Sequence, residues 1–314
     1  MMVKQREYYD VAIIGGGAAG LTAGIYCGRA RLKTIIFEKS VPGGLATYTS
    51  EIANYPGFPE VLSGTELMNL FEKQAKKFGA EVKLTAIKSV DFISKEKVVS
   101  TFRTDYMAKT VIIASGGKPR LTGAKGEETF LYDKGISFCA TCDAAYYTDK
   151  SVLIIGSGDA AIEEALFLTK FARRVQVSVI HDKGTIDANA IAKEYAFANP
   201  KLEFIWNTVV EEFKGEEHLQ QVVLKNSKTG NLIPIDVDGC FLFIGYLPDT
   251  DLFKGQVAMN QSGYVLTNEN METSLEGVFA VGDVRAKGLR QIATAVGDGA
   301  VGGVAAEQYI KHST

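Results

Sequence analysis

An α/β protein, with one parallel-sheet domain inserted into another, is predicted by three observations. A short apolar run, a glycine turn and a helical pattern occur over residues 10–31 and again over 151–168, about 140 residues later. A further apolar run near the C-terminus delivers Gly282-Asp283. A C-x-x-C, Cys139-Ala140-Thr141-Cys142, stands just ahead of the second glycine turn. Strand, glycine turn and helix, used twice, spell two Rossmann-like dinucleotide-binding domains. The late Gly-Asp run implies that the C-terminal segment completes the first of them. The first domain is therefore expected at 1–117 and 246–314, and the second at 118–245.

Composition agrees with that size. At 314 residues the length prior is two domains, and 46% hydrophobic with 23% charged residues describes an ordinary globular chain. A net charge of −3 with no basic tail argues against nucleic acid. No apolar run approaches membrane-spanning length, and the polar stretch at residues 1–9 is not expected to be a signal peptide. Four cysteines, two of them in C-x-x-C, read as a cytoplasmic protein in which a disulfide is catalytic.

In the first unit the run Asp10-Val11-Ala12-Ile13-Ile14 is a strand. Gly15 permits the tight turn, Gly17 lets a pyrophosphate approach the backbone, and Gly20 lets the helix lie close to the strand. The next strand, 33–37, ends in Glu38, where an acid accepts hydrogen bonds from an adenosine ribose. Loop-rich segments around Gly43-Gly44 and Asn54 suit a planar ring, with Thr47 and Asn54 as polar contacts. A helix over 64–78, strands near 81–92 and 98–103 and a buried strand at 110–114 follow, and Ser115-Gly116-Gly117 looks like a crossover. Cys27 and Cys240 read as packed thiols, and His218 in a charged loop and His312 in the tail as exposed. At the C-terminal end, a helix starting near Arg290 would turn its positive end toward the electron-rich edge of a reduced flavin.

The chemistry is assigned to Cys139 and Cys142. Two cysteines two residues apart close a small ring, and a helix starting there lowers a thiolate pKa. Asp143, directly after, can give a proton to a leaving thiolate and take it back. The same spacing serves as half of a zinc site. Against zinc, there is no second C-x-x-C, and neither Cys27, Cys240 nor any His lies at ligand spacing, so no metal is expected.

Gly15-x-Gly17-x-x-Gly20, Tyr55-Pro56-Gly57-Phe58, Cys139-Ala-Thr-Cys-Asp143, Phe243-Ile-Gly-Tyr-Leu-Pro248 and Val281-Gly-Asp283 with Arg290-Gln291 together resemble the low-molecular-weight thioredoxin reductases over nearly the whole chain. The resemblance implies a flavoprotein of the pyridine nucleotide-disulfide oxidoreductase type, a homodimer with FAD in the first domain. It implies FAD contacts from Gly15, Gly17, Ala18, Ala19 and Gly20 at the turn, and from Glu38 and Lys39 after the second strand. Gly44, Leu45, Thr47 and Asn54 in the loops, with Val82, Ala114, Ser115 and Gly116, are implied as well. Gly282, Asp283, Arg290, Gln291 and Ile292 complete that set. It also implies a redox disulfide between Cys139 and Cys142, in which Cys142 takes electrons from the flavin, Asp143 is the acid/base and Cys139 attacks thioredoxin. Leu45 stands where relatives carry a Gln.

The second domain departs from the pattern. NADPH-dependent relatives carry His-Arg-Arg-x-x-x-Arg after its second strand, whose guanidiniums pair with the 2′-phosphate. Here the register reads His181-Asp182-Lys183-Gly-Thr-Ile-Asp187. A carboxylate 4 Å from a phosphate costs about 4 kcal/mol at an effective dielectric near 20, so NADPH is expected to bind poorly. An acid after this strand would select NADH by the general rule. The stretch is also similar to the ferredoxin-dependent flavin thioredoxin reductases of clostridia, which implies reduced ferredoxin as donor. A ferredoxin at about −400 mV and thioredoxin at about −270 mV leave roughly 6 kcal/mol for two electrons. A flavin disulfide oxidase or redox sensor is the reading from another class.

Overall fold

A computed structural model describes residues 4–49, 51–94, 96–131 and 134–312. The start of the N-terminal polar stretch and Ser50 of the loop segment lie outside the described residues. The chain forms two compact units. One holds Glu51–Lys118 together with the chain up to Thr47 and from Leu247 onward; the other holds Pro119–Tyr246 with the short segment at Tyr48.

In the first unit, strand Gln5–Ile14 lies between Thr34–Glu38 and Thr104–Ile113, all parallel. Glu81–Leu84 extends the sheet beyond Thr34–Glu38, and the antiparallel pair Lys97–Ser100 and Ser89–Asp91 extends it on the other side. Val278–Ala280, more than 160 residues later in the chain, pairs in parallel with the end of Thr104–Ile113. The inner strands are apolar on both faces, as a doubly covered parallel sheet requires. One face packs on helices Ala18–Arg29, Gly64–Lys77 and Ile292–His312, and the other buries Phe92, Tyr106 and Phe253. Helix Gly64–Lys77 starts in a capping box between Ser63 and Glu66. The C-terminal helix lies against Ala18–Arg29 through Gly299 and Gly303; a Cβ on Gly299 would fall 2.3 Å from the Ala19 carbonyl oxygen.

The second unit repeats the plan. Its parallel sheet runs Leu202–Trp206, Arg174–Val179, Ser151–Ile155, Gly239–Leu242 and Ile136–Ser137. Helix Asp159–Leu168 follows the glycine turn. An antiparallel sheet of Thr208–Gly215, Leu219–Asn226 and Leu232–Asp236 precedes the strand Gly239–Leu242, and nothing in the sequence reading anticipated it. Cys27 and Cys240 are fully buried, and burial pushes the Cys27 thiol up to about 12 and Cys240 upward as well. His218 is exposed; His312 is exposed too, but within the last turn of a helix rather than in a tail. Among the described residues, no helix is long and apolar enough to cross a membrane.

Candidate active site

The first glycine turn is built for close approach. Gly15 adopts φ +112°, and its amide bonds the Phe37 carbonyl (2.9 Å), tying the turn to the neighbouring strand. A Cβ on Gly20 would fall 1.9 Å from the Gly15 carbonyl oxygen, so the helix can lie this close only without one. Gly17 faces open space: a Cβ there meets only the Gly43 carbonyl, at 3.8 Å. It caps a helix that carries no side-chain cap and no acid in its first turn. Buried Glu38 accepts from the Gly16 amide (3.0 Å) with one oxygen and from the Ser40 amide (2.9 Å) with the other.

The other residues expected to contact FAD lie in separate groups. Gly44, Leu45 and Thr47 form a single 3₁₀ turn, and the Thr47 hydroxyl donates to the Gly44 carbonyl (2.8 Å). Lys39, Ser115 and Gly116 converge on Asp249: the ammonium pairs with its carboxylate (2.7 Å), the Ser115 hydroxyl donates to its carbonyl (2.7 Å), and its amide donates to the Gly116 carbonyl (3.1 Å). Asn54 donates to the Gln291 side chain (3.2 Å), joining two candidates 237 residues apart in sequence. Ala18, Ala19 and Ala114 are buried in the turn, and Val82 packs at the edge of the same core.

Asp283 leaves the strand Val278–Ala280 on a short turn with Gly282 at φ +77°. Its Oδ1 is buried and has no hydrogen-bond partner among the described residues. Burial raises its pKa, and Lys287 and Arg290 work against that. The Arg290 guanidinium donates to the Asp283 carbonyl (3.3 Å) and lies 3.9 Å from the centre of the Tyr264 ring. Ile292 opens the C-terminal helix, two residues later than the sequence suggested. Nothing in the sequence pattern marked Arg285, Lys287 or Asp249.

Cys139 and Cys142 are joined by a disulfide. Cys139 is the N-cap of the one-turn helix Ala140–Asp143, its Sγ accepting from the Cys142 amide (3.1 Å). A thiolate formed on Cys139 would keep that amide as a hydrogen-bond donor. Ser137 fixes the approach by donating its hydroxyl to the Cys139 carbonyl (3.3 Å) and accepting from the Cys139 amide (3.0 Å). Ala140, Ala144 and Tyr147 anchor the turn in the core of the unit, while Cys142 is exposed and Cys139 is buried. The Thr141 hydroxyl donates to the Tyr48 carbonyl (3.1 Å).

The second glycine turn keeps the backbone and changes the charge. Gly156 has φ +136° and bonds the Ser178 carbonyl (3.2 Å), as Gly15 bonds Phe37. Ile155 pairs with Ser178 as Ile14 pairs with Phe37, so the counterpart of Glu38 is Val179. Asp182, three residues further on, is exposed and paired with Lys228, which lowers its pKa. Asp187 is the acid at this turn. Its Oδ2 accepts from the Ser157 hydroxyl (3.0 Å) and lies 2.7 Å from His181 Nε2, which holds its pKa down. Asp159 occupies the first turn of the helix and accepts from the Asn189 amide and side chain (2.6 and 2.9 Å).

Two glycine-turn units and a C-x-x-C disulfide define a flavin-type disulfide oxidoreductase. The model of the pyridine nucleotide-disulphide oxidoreductase family matches residues 9–299. A thioredoxin reductase of Peptoclostridium acidaminophilum is 45% identical over 96% of this chain and 97% of its own length. The crystal structure of Lactococcus lactis thioredoxin reductase is 37% identical and covers 97% of this chain and 99% of its own, with a TM-score of 0.92. A ferredoxin-flavin thioredoxin reductase from Clostridium acetobutylicum is 28% identical over 98% of this chain and 100% of its own, with a TM-score of 0.54. The chain belongs to the low-molecular-weight thioredoxin reductase family.

Thioredoxin reductases of this family bind FAD. The first unit fits it: Gly17 leaves room at an uncapped helix N-terminus, Glu38 offers carboxylate oxygens at the ribose end of the turn, and Asp283 Oδ1 awaits a hydroxyl donor.

Proposed function

We propose that this chain is a thioredoxin reductase that draws electrons from reduced ferredoxin and delivers them, through FAD and the Cys139–Cys142 disulfide, to the disulfide of thioredoxin. FAD, when bound and reduced by the donor, would supply the electron pair that opens the protein disulfide. Gly17, Glu38, Asp283 and the Asn54–Gln291 pair are the residues we assign to holding it in the first unit, and the second unit carries the disulfide. Cys142, the exposed sulfur, receives the pair, and Asp143 supplies and recovers the proton. Cys139 becomes the thiolate held by the Cys142 amide and attacks the thioredoxin disulfide; Cys142 then resolves the mixed disulfide. Cys139 is covered in the oxidised pair, so its attack follows a rearrangement that exposes it. The reading includes a homodimer in the cytoplasm.

The choice of donor is carried by the second glycine turn. Asp187 at its Ser157 and Asp159 in the following helix put carboxylates where a dinucleotide brings phosphates. The likeness to the ferredoxin-flavin enzyme of Clostridium acetobutylicum supports the same donor. A second reading, NADH, is favoured by one contact: Asp187 sits on Ser157 as Glu38 sits on Gly16, where an acid accepts from a ribose diol.

Anaerobic mixing of the FAD-loaded protein with reduced ferredoxin, NADH or NADPH separates these donors. Bleaching by ferredoxin, followed by thioredoxin reduction, is the expected result. Rapid bleaching by NADH, with ferredoxin inert, would assign Asp187 to the ribose and end the ferredoxin reading. Slow single-turnover bleaching without thioredoxin reduction would make the protein a sensor.

A further inference from the structure

Asp298, on the helix Ile292–His312, gathers the turn that carries Asp283. Its carboxylate accepts from the Gly282 amide (3.1 Å), from Arg285 Nη1 (3.0 Å) and from Lys287 Nζ (3.0 Å). The side chains are largely withdrawn from water, with Asp298 and Lys287 at 12% exposure and Arg285 at 14%. Lys287 also donates to the Thr294 hydroxyl (3.3 Å) and stands 3.6 Å from Asp283 Oδ1. A lysine so placed needs negative partners, because a desolvated ammonium is costly alone. Arg285 and Lys287 share the charge of Asp298, and Lys287, with Arg290, also faces Asp283.

We propose that Lys287 is a positioning residue for FAD: it keeps Asp283 an open carboxylate, ready to accept from a cofactor hydroxyl, while Asp298 and Arg285 fix the ammonium in place. The inference rests on Asp283 as an FAD ligand. A hydrogen bond to an ionised acceptor is stronger than one to a neutral group, so loss of the ammonium weakens the cofactor without touching it. The charges that face Asp283 are Lys287, Arg290 and Asp298, and only Lys287 bridges the two acids.

The test is a double-mutant cycle on the full-length protein, with FAD affinity read by titrating FAD-free protein and folding by thermal melting. Lys287→Gln keeps a donor and removes the charge, and should weaken FAD at least ~10-fold. Lys287→Arg should stay within ~3-fold of the parent. In an Asp283→Asn background Lys287→Gln should cost less than ~3-fold, because the charge it answers is gone. Equal losses in both backgrounds, parental affinity in folded Lys287→Gln, or failure of Lys287→Arg to hold FAD would overturn the proposal. Unchanged FAD affinity in Asp283→Asn would instead remove the premise that Asp283 is a ligand.

Discussion

Asp283 shows how far one residue can be read. Gly-Asp after an apolar run marked it, but its cost is visible only in the fold. Burial raises its pKa more than Lys287 and Arg290 lower it. A carboxyl with a raised folded pKa binds its proton more tightly in the native state than in the unfolded chain. Its stabilising contribution is therefore full below the unfolded carboxylate range and is lost as pH rises through the folded pKa. Asp283→Asn should accordingly melt higher than the parent at about pH 8 when both are free of FAD, with the gap closing near about pH 4. A gap that is absent at every pH would show that the carboxyl carries no such penalty. The same variant should hold FAD more weakly, the usual trade between stability and a binding site. Arg285 and Lys287 escaped the sequence reading because a charged residue every second position looks like a solvated loop; their burial against Asp298 is tertiary.

At the scale of elements, strand–turn–helix was the most legible feature. The glycines report local backbone demands, and the strand Gln5–Ile14 and helix Ala18–Arg29 flank the turn as their periodicity requires. The third glycine is the sensitive one. Gly20→Ala places a methyl 1.9 Å from the Gly15 carbonyl oxygen, so the helix must move off the strand. It should cost about 1–3 kcal/mol in denaturant unfolding and loosen FAD, since the amides at the helix start move with it. Unchanged unfolding would mean that the turn relaxes freely. The second unit carries Ala161 at the matching place, so the fold alone does not forbid a methyl there. Legibility failed for the antiparallel sheet Thr208–Asp236, whose strands alternate weakly, and for the donor acid. The rule of an acid after the second strand pointed to Asp182. Strand register puts Val179 at that place and a loop hydrogen bond brings in Asp187.

On the scale of the whole chain, one plan is used twice: a parallel sheet with a glycine turn, a helix, an antiparallel excursion and a returning parallel strand. The first copy carries no acid in the first turn of its helix, and the second carries Asp159 there. Such a division predicts separable half-reactions. In Cys142→Ser, donor-driven bleaching of the flavin should continue near the parental rate, whereas thioredoxin reduction should fall at least ~1000-fold, because the electron pair has no disulfide to open. Thioredoxin reduction that survives this substitution would place the chemistry elsewhere.

The sequence by itself determined the elements and their chemistry: two glycine turns, the C-x-x-C and the Gly-Asp strand. These are short-range patterns, in which backbone conformation and reactivity depend on neighbouring residues. Only the tertiary structure decided which charges are buried together, that Asn54 meets Gln291, and that Asp187 rather than Asp182 sits at the second turn. The last two pairings join residues 237 and 30 positions apart. Their energies come from desolvation and register, and neither exists until the sheets have formed.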